Sequence, residues 1–144
     1  MPQPPVVFVH GLSTSSAIWS HQLAVLTEAG HPCVAVDLPG HGRRADGRFT
    51  LDAALAAIDE GVRGLPAPPL LVGLSLGGYT SLAYAARNPD AVAGVVLSGC
   101  STEIRGWPLR AYSRVSPVVA RVLRRARETW HVVTDMLTAM HGHS

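Results

Sequence analysis

Apolar residues fall in short solid runs separated by stretches with helical spacing, and that alternation predicts a chain of strands and helices in layers. Residues 6–9 (VVFV) form an unbroken apolar run that stops at His10-Gly11, the pattern of a strand buried on both faces. Trp19, Leu23 and Leu26 then recur at four and three residues, which predicts a helix. Ser15 or Ser16 can cap its start, and Gly30 stands where a helix end takes a left-handed residue. Residues 33–36 give a second strand that ends at Asp37, followed by a loop over residues 38–49 rich in glycine and arginine. Leu51, Leu55, Ile58 and Val62 define a second amphipathic helix, after which Pro66, Pro68 and Pro69 break the chain before a third strand. A fourth strand is expected over about residues 92–98.

Solid apolar strands alternating with helices predict an α/β fold: a parallel sheet covered on both faces by right-handed crossovers. The pattern changes after Gly99. Val119, Leu123, Ala126, Trp130, Val133, Leu137 and Met140 keep three-and-four spacing with no intervening strand, so a core over residues 1–102 is expected to carry a helical appendage over residues 103–144.

The chemistry concentrates at residues 70–80 (LLVGLSLGGYT), where an apolar run enters Gly-x-Ser-x-Gly and leaves toward a helix that Asn88-Pro89 stops. A serine held on so sharp a strand-to-helix turn leaves no room for Cβ atoms at Gly73 and Gly77. Its hydroxyl is barely acidic, so a nucleophilic Ser75 needs a base within hydrogen-bond reach and donors aimed at the oxyanion that forms on attack. Two backbone amides qualify: Leu76, at the start of the following helix, and Leu12, just past the tight turn opened by His10-Gly11. If the strand carrying Ser75 neighbours the first strand, both amides meet at the carboxyl edge of the sheet, where open α/β folds bind ligands. The plain alternative is a structural Gly-Ser-Gly turn; the strand before it and the helix after it favour the nucleophile.

Composition sets bounds on this. With 144 residues, 47% of them hydrophobic and 15% charged, the chain suits one modest domain with a globular core. No apolar stretch approaches the ~18 residues of a membrane span, and residues 1–5 place no basic region before a signal-type segment, so a cytoplasmic location without stable membrane insertion is expected. Cys33 and Cys100 lack zinc or redox spacing and are expected to be buried thiols near strand ends. Every basic residue other than histidine is arginine; seven arginines against three acids leave residues 103–144 at +4, whereas five against seven leave residues 1–102 at −2. The basic stretch around Arg110 and Arg127, with Trp107 and Trp130, fits the solvated face of a helix better than a lipid-docking lid, and no aromatic interleaving suggests nucleic-acid binding. Of the seven histidines only His141 and His143 are close together, no metal-ligand spacing such as HExxH occurs, and neither a metal nor a cofactor is expected.

HGLSTSSAIW, VDLPGHGRR and VGLSLGGYTSLAYAARNP, in that order and spacing, resemble the α/β-hydrolase family over about residues 6–100. The resemblance implies Ser75 as nucleophile, the Leu12 and Leu76 amides as oxyanion donors, and supporting roles for His10, Gly11, Gly73 and Gly77, with His10 and Asp37 shaping turns at strand ends. It also implies four strands side by side in the order second, first, third, fourth, with residues 103–144 similar to the start of a cap. The resemblance implies a serine hydrolase acting on an ester, lactone or related small acyl substrate, within a family that also includes cofactor-free perhydrolases, lyases and acyltransferases.

Family members carry two further strands after the cap, one ending at the acid of a catalytic triad and the next followed by its histidine; neither pattern occurs here. The His141-Gly142-His143-Ser144 terminus follows a helix rather than a strand, and Glu103 comes several residues late for the acid that some members place after the fourth strand. His10 is expected as a packed turn residue, His41 as remote from Ser75, His21 and His31 as surface groups, and His131, His141 and His143 as reaching the site only through a folded-back cap. The expectation is therefore a chain truncated within the cap and nearly inert alone, because losing a triad histidine lowers turnover roughly 10⁶-fold. An open edge on the fourth strand would favour self-association. A non-catalytic binding or regulatory module that keeps the scaffold is the alternative from a different class.

Overall fold

The computed structural model describes residues 2–100, so the expected helical appendage, its arginines and Glu103, His131, His141 and His143 lie outside the described residues. Strands β1 (Val6–Val9), β2 (Cys33–Val36), β3 (Leu70–Leu74) and β4 (Gly94–Ser98) pair in parallel in the order β2-β1-β3-β4. The sheet carries α1 (Ser20–Glu28), α2 (Leu51–Arg63) and α3 (Leu76–Arg87). Right-handed crossovers send α1 to one face, because β1 to β2 steps in one direction, and send α2 and α3 to the other, because the next two connections step back.

β1 is central and buried throughout, and its side chains alternate between the two layers. Val7 and Val9 join the core beneath α2 and α3, together with Val36, Leu38, Ala54, Ile58, Leu71 and Tyr84. Phe8 points to the other face, its ring 4.9 Å from that of Trp19. α2 buries Ala54, Leu55, Ala57, Ile58 and Val62 on a single stripe and starts at Thr50, whose hydroxyl accepts the Ala53 N–H at 3.0 Å. Tyr84 of α3 reaches across to donate its hydroxyl hydrogen to Asp59 of α2 at 2.7 Å. Burial and the adjoining Asp59 carboxylate push the Tyr84 phenol up to about 12.

Several local expectations need correction. Ser15 caps a 3-10 turn over Ser16–Trp19 rather than the α-helix, which begins at Ser20 and buries no residue fully. Its end follows the left-handed pattern: Gly30 has φ +92°, with Gly30 N–H donating to Thr27 O and His31 N–H to Leu26 O. The fourth strand begins at Gly94 because Pro89 opens a 3-10 turn over Pro89–Ala91 first. The cysteines are half-buried rather than buried, since Cys33 opens a marginal strand and Cys100 follows another. Among the described residues β4 pairs with β3 alone, and Val96 on it is 52% exposed.

Candidate active site

β3 ends at Leu74 and α3 begins at Leu76, so a single residue makes the whole change of direction. That residue is Ser75, at φ +51° and ψ −114°, a conformation that side-chain-bearing residues adopt only where surrounding structure over-determines it. Here the surroundings do so by hydrogen bonds. The Ser75 N–H donates to Ser98 O of β4 at 2.7 Å, and the Ser75 carbonyl accepts from Gly78 N at 2.8 Å and Tyr79 N at 3.1 Å. A Cβ on Gly73 would overlap the Gly77 carbonyl, and one on Gly77 would overlap the Val9 carbonyl of β1. The two glycines thus allow the first turn of α3 to rest directly on the backbones of two strands. Ser75 itself stays half-exposed.

The end of β1 lies next to this elbow because Val9 is in register with Gly73. A Cβ on Gly11 would stand 3.6 Å from the Ser75 Cβ and 3.3 Å from the Leu74 carbonyl oxygen. The Gly11–Leu12 peptide is held by its oxygen: Gly11 O accepts from His10 Nδ1 at 2.8 Å, Thr14 Oγ1 at 2.6 Å and Thr14 N at 3.3 Å. Among the described residues every peptide bond is trans, so anchoring that carbonyl fixes the Leu12 N–H in the opposite direction. Among the described residues neither the Leu12 nor the Leu76 amide has a hydrogen-bond partner. A half-exposed hydroxyl and two unengaged N–H groups at the carboxyl ends of adjacent strands are the parts an acyl-transfer site needs.

His10 is fully buried, and both its ring nitrogens are in use. Nδ1–H donates to Gly11 O, while Nε2 accepts the Leu38 N–H at 3.0 Å, tying the end of β1 to the loop after β2. It therefore has no free nitrogen with which to take a proton from Ser75. Burial lowers the His10 pKa, and His41 adds to this, outweighing the Gly11 carbonyl and Asp37. Asp37 accepts Ser16 N–H at 2.8 Å and Arg43 N–H at 3.2 Å. Burial alone would raise this carboxyl, but the amide hydrogen bonds win and hold it below the usual range.

His41 contacts the turn after β1. It is buried, its ring centroid lies 4.9 Å from that of His10, and its Nε2 accepts the Ser13 N–H at 3.2 Å. Sequence reasoning missed this contact of His41 with Ser13, and it missed Thr14. The signal for His41 was the repeated His-Gly pair, His10-Gly11 and His41-Gly42, at the ends of neighbouring strands; no sequence signal distinguishes Thr14. His21 is exposed on α1, and His31 donates Nδ1–H to Pro4 O at 2.8 Å. A concavity of about 470 Å³ lined by Val34, Val36, Arg43, Arg44, Glu60 and Gly61 lies at the outer strand β2, which β1 separates from β3. Among the described residues no group of three or more His, Cys, Asp or Glu is placed to hold a metal, and no helix is long and apolar enough to cross a membrane.

A family model for the alpha/beta hydrolase family matches residues 6–142. The chain is similar to an esterase of Mycobacterium tuberculosis, 38% identical over 98 residues that cover 65% of this chain and 32% of that protein. It is also similar to the pimeloyl-[acyl-carrier protein] methyl ester esterase of Neisseria meningitidis, 36% identical over 94 residues covering 65% of this chain and 35% of that one. Among solved structures, a monoacylglycerol lipase of Paleococcus ferrophilus superposes with a TM-score of 0.59 at 32% identity, over 85% of this chain and 48% of the lipase. The chain thus spans about a third of the length of these two curated relatives. With the strand order β2-β1-β3-β4, the glycine-lined elbow and a family match that runs over nearly all of its length, the chain belongs to the α/β-hydrolase family.

Proposed function

We propose that this chain is the nucleophile-bearing part of a serine hydrolase that cleaves a carboxylic ester or related acyl substrate through an acyl intermediate on Ser75. The observation that carries this is the positive φ of Ser75, a strained, half-exposed serine flanked by amides without a partner among the described residues. The names of the relatives, two esterases and a lipase, support the ester class.

In this mechanism the Ser75 Oγ forms a bond to the acyl carbon while its proton passes to a base. The carbonyl oxygen becomes an oxyanion that accepts from the Leu12 and Leu76 N–H groups. Collapse breaks the bond to the leaving alcohol, which takes up the proton, and water then releases the acid by the same steps in reverse order. No histidine among the described residues hydrogen-bonds Ser75, so we assign the base to a group outside residues 2–100. Without that base, turnover is expected to fall roughly 10⁶-fold, leaving mainly oxyanion stabilisation and binding.

The test is fluorophosphonate labelling of a protein completed with the half that supplies the base, read by mass spectrometry on the peptide that contains Ser75, with Ser75→Ala as control. Labelling confined to Ser75 and abolished in the variant is the expected result. Equal labelling of the variant would overturn the nucleophile assignment, and saturable binding of an ester analogue without any labelling would favour a non-catalytic module.

A further inference from the structure

His10 and His41 form a reciprocal clasp between the two loops at the carboxyl ends of β1 and β2. His10, on the first loop, accepts the backbone N–H of Leu38 on the second; His41, on the second, accepts the backbone N–H of Ser13 on the first. The partners settle the tautomers. A carbonyl oxygen can only accept, so His41 Nδ1 carries the hydrogen it gives to Pro39 O at 3.0 Å, and Nε2, which receives the Ser13 N–H, carries none. Ser13 has φ +60°, a left-handed conformation for a non-glycine residue, and it directly follows the Leu12 amide. Thr14 anchors the other side of the same turn through Gly11 O.

We propose that His41 is a positioning residue: its unprotonated Nε2, by accepting the Ser13 N–H, holds residues 11–14 in the pose that presents the Leu12 amide to the oxyanion. The inference rests on the assignment of Leu12 as an oxyanion donor. Protonation would set an N–H on Nε2 against the Ser13 N–H, two donors with no acceptor between them, and the turn would be released on that side.

The groups facing His41 set when this happens. They are the His10 ring and the Asp37 carboxylate, which Arg43 approaches at 3.7 Å; Arg44 pairs with Glu60 of α2. Burial lowers the His41 pKa and outweighs the Pro39 carbonyl and Asp37, which raise it. The clasp is therefore complete at and above the ordinary histidine value of 6.5 and is lost only as pH falls through the lower folded value.

Nuclear magnetic resonance on the full 15N-labelled chain tests this without requiring Ser75 to react. Between about pH 8 and pH 5, the Leu12 and Ser13 amide signals are expected to move with the midpoint of the His41 ring nitrogens, and the Ser13 protection factor, taken against intrinsic exchange at each pH, is expected to fall about tenfold. The Leu38 amide reports His10 separately in the same spectra. His41→Gln supplies an oxygen acceptor that does not titrate, and should keep Ser13 protected with a flat pH profile. His41→Phe keeps a ring without an acceptor and should leave Ser13 unprotected at every pH. Leu12 and Ser13 signals that ignore the His41 titration, or a folded Phe variant with Ser13 still protected, would overturn the proposal. If the Phe variant does not fold, the wild-type titration decides alone. A failure of Ser75 to label, with the clasp titrating as described, would count against the nucleophile and not against the clasp.

Discussion

The junction of β1, β3 and α3 and the outer strand β4 belong to the same sheet but are built on different contacts. At the junction, main chain meets main chain: the sites where Cβ atoms would stand on Gly73 and Gly77 are already occupied by carbonyl groups. At β4, beyond its main-chain ladder with β3, contact is by side chains that remain half-exposed, and Val96 projects more than half its surface. Backbone contact has no rotamers through which to relax, so the junction holds a strained serine, whereas β4 can absorb change.

Four substitutions probe that contrast. Gly77→Ala should have the largest effect, since the new methyl overlaps the Val9 carbonyl and only main-chain movement relieves it; a loss of at least about 4 kcal/mol, or failure to fold, is expected in chemical denaturation. Tolerance of this change would abolish the distinction between the two regions. Tyr84→Phe should cost about 1.5 kcal/mol by removing the hydroxyl that reaches Asp59. The folded phenol value, about 12, is above the ordinary 10, so the unfolded chain loses its proton first; this contribution is complete below pH 10 and disappears as pH rises toward 12, which a pH series of denaturation curves can check. Ser75→Gly should stabilise the fold by about 1 kcal/mol, because φ +51° carries no Cβ penalty in glycine, while abolishing phosphonate labelling. A destabilised glycine variant would mean that the elbow is not strained. Val96→Thr on β4 should fall within about 0.5 kcal/mol of wild type.

The sheet was legible wherever chemistry is local. Residues 33–36 are apolar between Pro32 and Asp37, and β2 occupies that span because nothing else there can pair in a core. Strand order followed from the family resemblance rather than from periodicity, which carries no information about neighbours. The start of β4 was misplaced by two residues because Val92 is apolar yet follows a turn set by Pro89. Ser75 was legible because its conformation demands glycines at fixed offsets, a constraint written directly into residues 73–77. The anchoring of the Leu12 peptide was not, since it depends on the rotamer of Thr14 and the tautomer of His10. His41 escaped for a related reason: the loop doubles back through a His41 N–H bond to Leu38 O at 3.0 Å, and no spacing rule tracks the path of a turn.

The strand order also governs how the molecule is assembled on the ribosome. Val6 lies beside Cys33 on one side and Leu70 on the other, so β1 gains its second neighbour only when the third strand arrives. Until the segment around Leu70 has been translated, the apolar β1 remains unpaired along one side, where non-native pairing competes. Slow codons placed just before the third strand would therefore lower the yield of native protein more than the same codons placed after it.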